Sequence, residues 1–224
     1  MKDYSDYLKR LPFYERLSES EKRMIEEGWS QKTYKKGQII YNSNDACLGH
    51  IYLCEGEVRA YVTSEEGREI TLFRLFPEGT CVLSASCVLN QIKFDTQLVA
   101  VTDVSMLILN SSIFNTLCEQ NVYVKLYAYE LLSSRFSSVM WTMQQIVFMK
   151  FDKRLAIFLV SEYERTGKRT VKMTHEQIAE HTNSAREVVA RTLKKLSNDG
   201  LIEYRRGCVT IKELDALSLL AETK

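Results

Sequence analysis

The chain has 224 residues, 45% hydrophobic and 26% charged, with 30 Lys and Arg against 29 Asp and Glu for a net charge of +1. That length buries a sizeable core and allows two modest domains, while no apolar run approaches the roughly 20 residues of a bilayer span, which excludes a membrane helix. The polar start MKDYSDYLKR has no apolar h-region, and the six cysteines (47, 54, 81, 87, 118 and 208) show no C-x-x-C spacing, so we expect a cytoplasmic chain without structural disulfides or a metal site.

Residues 5–30 suggest short amphipathic helices. Leu11-Pro12-Phe13 breaks the first, and Leu17-Ser18-Glu19-Ser20-Glu21 starts another with a capping serine. From Thr33 to about Leu109, short runs rich in Ile, Val, Tyr, Phe and Thr are punctuated by Gly37, Gly49, Gly56, Gly67 and Gly79, at intervals of 12, 7, 11 and 12. This rhythm predicts a compact antiparallel β-barrel or sandwich. Glu55-Gly56-Glu57 and Glu65-Glu66-Gly67-Arg68 read as turns, and Val58–Val62 and Ile70–Phe73 as strands.

From Ser112 to Lys150 there is no Gly or Pro, and the pattern turns helical. Leu132, Phe136, Val139, Met143 and Ile146 are spaced 4, 3, 4, 3, as in a coiled-coil seam. Pairing with a second copy would bury this seam; packing on the chain's own β-domain would also account for it. Phe151–Arg165 reads as a further helix, ended by Thr166-Gly167.

The stretch from Thr174 to Leu196 predicts two short helices joined by a tight turn. Thr174 caps the first with Gln177 three residues on, and Asn183 sits where the chain must turn. In the second helix Val189, Leu193 and Leu196 form an apolar stripe, while Glu187, Arg191 and Lys194 lie on another face beside Arg186. Arginine can donate two bonds to the O6 and N7 edge of guanine, and Glu187 can accept from a cytosine amine or brace an arginine. Ser184 joins this candidate interface, and Lys194 and Lys195 are placed to meet phosphate. Two β-type runs, Gly200–Tyr204 and Cys208–Ile211, flank Arg205-Arg206-Gly207 and predict a hairpin with a basic tip. Residues 151–224 carry 14 basic against 11 acidic side chains, and residues 1–150 carry 16 against 18, so the cationic excess lies at this end.

This order, a glycine-marked β-roll, a long dimer helix and a winged helix-turn-helix, resembles the catabolite activator/FNR (Crp/Fnr) family of bacterial transcription regulators over nearly the whole chain. The motif IAEHTNSAREVVARTLKKL carries the resemblance most strongly, with Asn183 where most members have glycine, and Leu214 and Leu217 suggest a closing helix. The resemblance implies an α+β fold: a sensor β-roll resembling cyclic-nucleotide-binding domains with N-terminal helices (1–111), a dimerisation helix (112–150) and a winged helix-turn-helix (151–224). It further implies that Arg186, Glu187 and Arg191 contact base edges of a TGTGA-like half-site. The partner would be a palindromic duplex whose half-sites lie about one helical turn apart, matching a homodimer.

The sensor departs from the family pattern. Members that bind cyclic AMP carry a Gly-Glu pair and an Arg-Ser pair, which here fall on Leu83-Ser84 and near Phe94-Asp95. Neither required charge survives, so cyclic AMP is not expected as the effector. The first cysteine is Cys47, which does not support an N-terminal iron–sulfur cluster, and His50 is the only histidine in the β-region, which leaves Cys81 or Cys87 as alternative haem ligands. The segment holding Cys81, Ser84, Ser86 and Cys87 reads in three ways: a pocket for a small uncharged or weakly polar ligand, a redox-responsive thiol pair, or buried small side chains.

We therefore expect a non-enzymatic DNA-binding regulator whose cofactor and effector the sequence does not name; activation would require a surface for RNA polymerase. The alternative class is a cysteine-dependent redox protein or enzyme whose C-terminal module serves assembly only. A catalytic thiol there would need a histidine brought to it by folding.

Overall fold

The computed structural model describes residues 5–42, 48–81 and 96–222. It opens with α1 (Ser5–Leu8), a 3-10 turn (Tyr14–Arg16) and α2 (Glu19–Gly28). Ser18 caps α2 as its sequence predicts. Its hydroxyl accepts from the Glu21 N–H, and the Glu21 carboxylate accepts from the Ser18 N–H at 2.7 Å.

Among the described residues eight strands follow: β1 (Trp29–Tyr34), β2 (Ile39–Tyr41), β3 (His50–Glu55), β4 (Val58–Thr63), β5 (Glu69–Leu75), β6 (Thr80–Cys81), β7 (Thr96–Ala100) and β8 (Val104–Leu109). They form two four-stranded sheets, ordered β1-β8-β3-β6 and β2-β7-β4-β5, with antiparallel ladders such as β3·β8 and β4·β7. Alternate residues of these strands, among them Ile51, Leu53, Val58, Ala60, Leu98 and Met106, close one apolar cluster. Gly56 has φ +90°, and a Cβ there would lie 2.3 Å from the Asp103 carbonyl, so only glycine fits this turn.

The helical run expected from Ser112 divides in two, α3 (Ser111–Gln120) and α4 (Val122–Phe148). Asn121 makes the break. Its backbone is extended, its side-chain amide donates to Arg16 O at 3.1 Å and to Glu21 Oε1 at 3.0 Å, and its Oδ1 accepts from the Tyr123 N–H at 3.0 Å to start α4. Asparagine supplies its own alternative to the helical ladder, a signal that the absence of Gly and Pro conceals.

Beyond α4 come α5 (Phe151–Thr166), β9 (Thr170–Val171), α6 (His175–Thr182), α7 (Arg186–Asn198), the hairpin β10 (Ile202–Arg205) and β11 (Cys208–Ile211), and α8 (Leu214–Glu222). The hairpin pairs Ile202 with Ile211 and Arg205 with Cys208, leaving Arg206-Gly207 as its two-residue tip. Gly200 does not open a strand: at φ +76° it closes α7, with the Leu201 N–H on Leu196 O. Leu155, Leu159, Ile178, Leu193, Ile202, Val209 and Leu217 form the common core of these elements. Burying each such aliphatic side chain contributes ~1.5–3 kcal/mol.

The chain divides into two compact units. One holds the described residues up to Thr63 together with Leu72–Val139; the other holds Ser64–Thr71 and the chain from Met140 onward.

Candidate nucleic-acid interface

The second unit builds its surface from the turn between α6 and α7. Thr174 and Gln177 form the reciprocal cap, with Gln177 Oε1 accepting from the Thr174 N–H at 2.9 Å and Thr174 Oγ1 accepting from the Gln177 N–H at 3.2 Å. Asn183 takes the left-handed conformation, φ 53° and ψ 49°, and its N–H bonds Ala179 O. The carbonyls left over at this helix end go to Arg154 of α5, whose Nη2 donates to Thr182 O and, at 3.0 Å, to Asn183 O.

The Asn183 side chain is also committed. Its Nδ2 donates to Thr71 O at 2.9 Å, its Oδ1 accepts from the Thr71 N–H at 2.6 Å, and the Thr71 hydroxyl donates to Glu180 O at 2.8 Å. Glycine could adopt the same backbone but could not make this exchange.

With the turn fixed, α7 shows the two faces its sequence predicts. Val189, Leu193 and Leu196 are fully buried, whereas Arg186, Glu187, Arg191 and Lys194 are exposed. Ser184, half-buried, precedes the helix. Among the described residues Arg186, Arg191, Lys194 and Arg206 have no ion pair, so these charges remain free for a partner. The other two cations are partly engaged. Lys195 lies 3.0 Å from Asp152, and Arg205 lies 2.9 Å from Glu203, which also receives Lys212. Between the start of α6 and the hairpin lies a cleft of about 590 Å³, lined by Thr174, His175, Arg186, Tyr204, Arg205 and Arg206. A smaller hollow of about 310 Å³ borders Arg191 and Lys195. The arrangement offers cations and helix N–H groups to an anionic backbone, with two arginines and a glutamate projecting beyond.

Of the exposed apolar side chains along α4, Val122, Leu126, Tyr129, Phe136, Met140, Met143 and Val147 follow a 4-3 repeat with Ser133 filling the one gap, while Tyr123, Trp141 and Phe148 are exposed outside it. Of the seam read from sequence, Phe136 and Met143 belong to this stripe. Val139 and Ile146 are half-buried beside it, and Leu132 packs against the core formed by Phe13, Ile25, Phe114 and Tyr127. Two overlapping stripes share positions 136 and 143, and spacing alone does not separate them.

In the first unit, Cys81 is fully buried at the end of β6. Ser84, Ser86 and Cys87, the rest of the effector segment read from sequence, lie outside the described residues. His50 is a core residue: its ring contacts those of Trp29, Phe114 and Tyr127, and burial pushes its pKa down to about 4. Its Nε2 lies 3.0 Å from the Tyr127 hydroxyl, and among the described residues its Nδ1 has no partner. A bare Nδ1 avoids an orphaned buried N–H, which favours the tautomer that donates from Nε2 and turns the Tyr127 proton elsewhere. Among the described residues, no group of His, Cys, Asp and Glu could hold a metal ion, and no helix is long and apolar enough to cross a membrane.

Sequence reasoning passed over three side chains: Arg154, which seals the turn; the partner that Asn183 finds in Thr71; and Arg135 of α4. Arg135 donates from Nη2 to Thr80 O at 2.5 Å and lies 4.7 Å over the Phe73 ring. Its signal was a lone arginine among the apolar residues of a long helix.

An antiparallel β-domain, a long helix and a cationic helix beside a β-hairpin define a DNA-binding protein of the winged helix-turn-helix type. The family model for a Crp-like helix-turn-helix domain matches residues 153–220, and that for a cyclic nucleotide-binding domain matches residues 31–121. A solved structure described as a transcriptional regulator of the Crp/Fnr family from Eubacterium rectale is 38% identical, covering 95% of this chain and 99% of that one with a TM-score of 0.87. The cyclic AMP receptor protein of Thermus thermophilus is 22% identical over 96% of this chain and 98% of its own length, and the transcriptional regulator SdrP of the same organism is 26% identical over 86% and 94%. The chain belongs to the Crp/Fnr family of transcriptional regulators.

Proposed function

We propose that this chain is a homodimeric, sequence-specific transcription regulator acting in the cytoplasm, in which Arg186, Glu187 and Arg191 read base edges of a two-fold operator. One observation carries the reading: Glu187 and Arg191 project from the face of α7 opposite to the fully buried Val189, Leu193 and Leu196, and Arg186 is exposed at the first residue of the helix. Helix-turn-helix recognition needs such a split, one face locked in the core and the other presented to the major groove. Lys194 and Arg206 supply phosphate contacts, with Ser184, Lys195 and Arg205 at the margin, and the hairpin flanks the reading helix.

The exposed 4-3 stripe of α4 supports a second copy of this chain as the element that pairs two reading helices. Control by a small effector then operates as a population shift: the effector binds the DNA-competent dimer more tightly than the incompetent one. If the regulator activates, its remaining partner is RNA polymerase. Selection of bound duplexes from a random pool tests the proposal. The wild type should enrich a palindrome, and an Arg186→Ala, Arg191→Ala double variant should enrich none; enrichment of the same palindrome by both would overturn it.

A further inference from the structure

We propose that Asp152 is an internal counter-ion of the DNA-binding face: it occupies Lys195 in place of a backbone phosphate and so holds down the chain's affinity for duplex of any sequence. This rests on the DNA-binding reading above and adds to it a residue that sets the strength of the grip without taking part in base choice.

Two neighbouring lysines on the exposed side of α7 differ in their partners. Lys194 has no ion pair among the described residues, whereas Lys195 donates from Nζ to Asp152 Oδ2 at 3.0 Å. Asp152 is the second residue of α5, and its other oxygen accepts from the Lys153 N–H at 2.9 Å. The carboxylate is therefore fixed at both oxygens, one to the start of its own helix and one to the reading helix. Partial burial opposes its charge, but the bonds from Lys195 and the Lys153 N–H, with Lys150 nearby, hold its carboxyl below the usual carboxylate range. The N-terminal end of α5 favours the anion as well.

Position decides what this charge does. Asp152 and Lys195 share the wall of the hollow of about 310 Å³ with Lys150, Phe151, Arg191 and Thr192. Arg191 stands one turn before Lys195 on the same side of α7, so a strand that meets Arg191 with a base passes the hollow with its backbone. A phosphate arriving there finds Lys150, Arg191 and Lys195, and against them one fixed negative charge. Asp152 is 27% exposed and Lys195 61%, too open for their pair to add much to stability. The larger consequence falls on the phosphate, which must share Lys195 and meets Asp152 as a like charge. Glu203 pairs in a similar way with Arg205 and Lys212, but at 42% exposed its charge is better screened. Phosphate contacts carry the sequence-independent share of duplex binding, so damping them leaves the base contacts proposed for Arg186, Glu187 and Arg191 as a larger part of the whole.

The test uses the full chain and two duplexes of equal length, the selected palindrome and a scrambled sequence, with affinities measured from low to moderate salt. Asp152→Asn keeps an acceptor for the Lys153 N–H and removes the charge. It should bind both duplexes about fivefold more tightly per protomer at low salt, the factor that one unit charge at ~4 Å across water supplies, and should leave the ratio between them unchanged. Asp152→Ser, which also offers an acceptor to the helix start, should reproduce this gain. A double-mutant cycle assigns the effect to the pair. Lys195→Ala should barely change the salt slope while Asp152 is present, and should lower it by about one per protomer in the Asp152→Asn background. The inference is overturned if both neutral variants bind no more tightly than the wild type, or if Lys195→Ala lowers the slope equally in the two backgrounds. A wild type that enriches a palindrome while Asp152→Asn and Asp152→Ser gain nothing defeats this inference alone; a wild type that enriches none defeats the regulatory reading with it.

Discussion

Asn183 and Thr71 exchange two hydrogen bonds, side-chain amide to backbone peptide, at 2.6 and 2.9 Å. The amide behaves as one more peptide group beside the backbone of Thr71. Asn183→Gly should keep the left-handed turn but leave a buried N–H and C=O unmet, at ~1–3 kcal/mol. Asn183→Ala should lose about 1 kcal/mol more, since alanine resists positive φ. Denaturant unfolding of the two variants checks the order; equal stability of both with the wild type would refute this role for the amide.

For the reading helix, Arg186→Ala and Arg191→Ala should each weaken operator binding by ~1–3 kcal/mol and relax base preference at one position per half-site. Lys194→Ala should weaken all duplexes alike and lower the salt slope by about one per protomer. Affinities measured from low to moderate salt on matched and mismatched operators distinguish these behaviours.

The seam prediction concerns assembly. Phe136→Glu and Met143→Glu place a charge in the stripe of α4 and should shift sedimentation toward the monomer, with a matching loss of affinity for the palindrome. A wild-type chain that sediments as a monomer at all concentrations would rule out the pairing.

His50 gives a pH signature. Its folded pKa is depressed to about 4 by burial, against about 6.5 in the unfolded chain. The unfolded state therefore binds the extra proton first as pH falls. The stability contributed by the neutral ring is complete above pH ~6.5 and declines by about 3 kcal/mol on the way to pH ~4. Unfolding free energies at several pH values should show this slope in the wild type and lose it in His50→Phe.

Much of the fold is legible in the residues because its determinants are local. Ser18 with Glu21 and Thr174 with Gln177 announce two helix starts, and Gly56, Gly67 and Gly207 mark turns. The exposed face of α7 is equally legible, since Glu187 and Arg191 alternate with the buried Val189 and Leu193 at helical spacing. What stayed hidden depends on partners far along the chain. The break at Asn121 rests on Arg16 and Glu21, the exposed stripe of α4 is chosen by what Leu132 packs against, and the setting of Arg135 is made by Thr80 and Phe73.

One carboxylate, that of Glu21, serves the start of α2 and, through Asn121, the start of α4, 100 residues later. A ribosome emits Glu21 long before Asn121, and the loop between them must close before that bond can form. The first turn of α4 is thus tied to the N-terminal helices and is not set by its own residues alone.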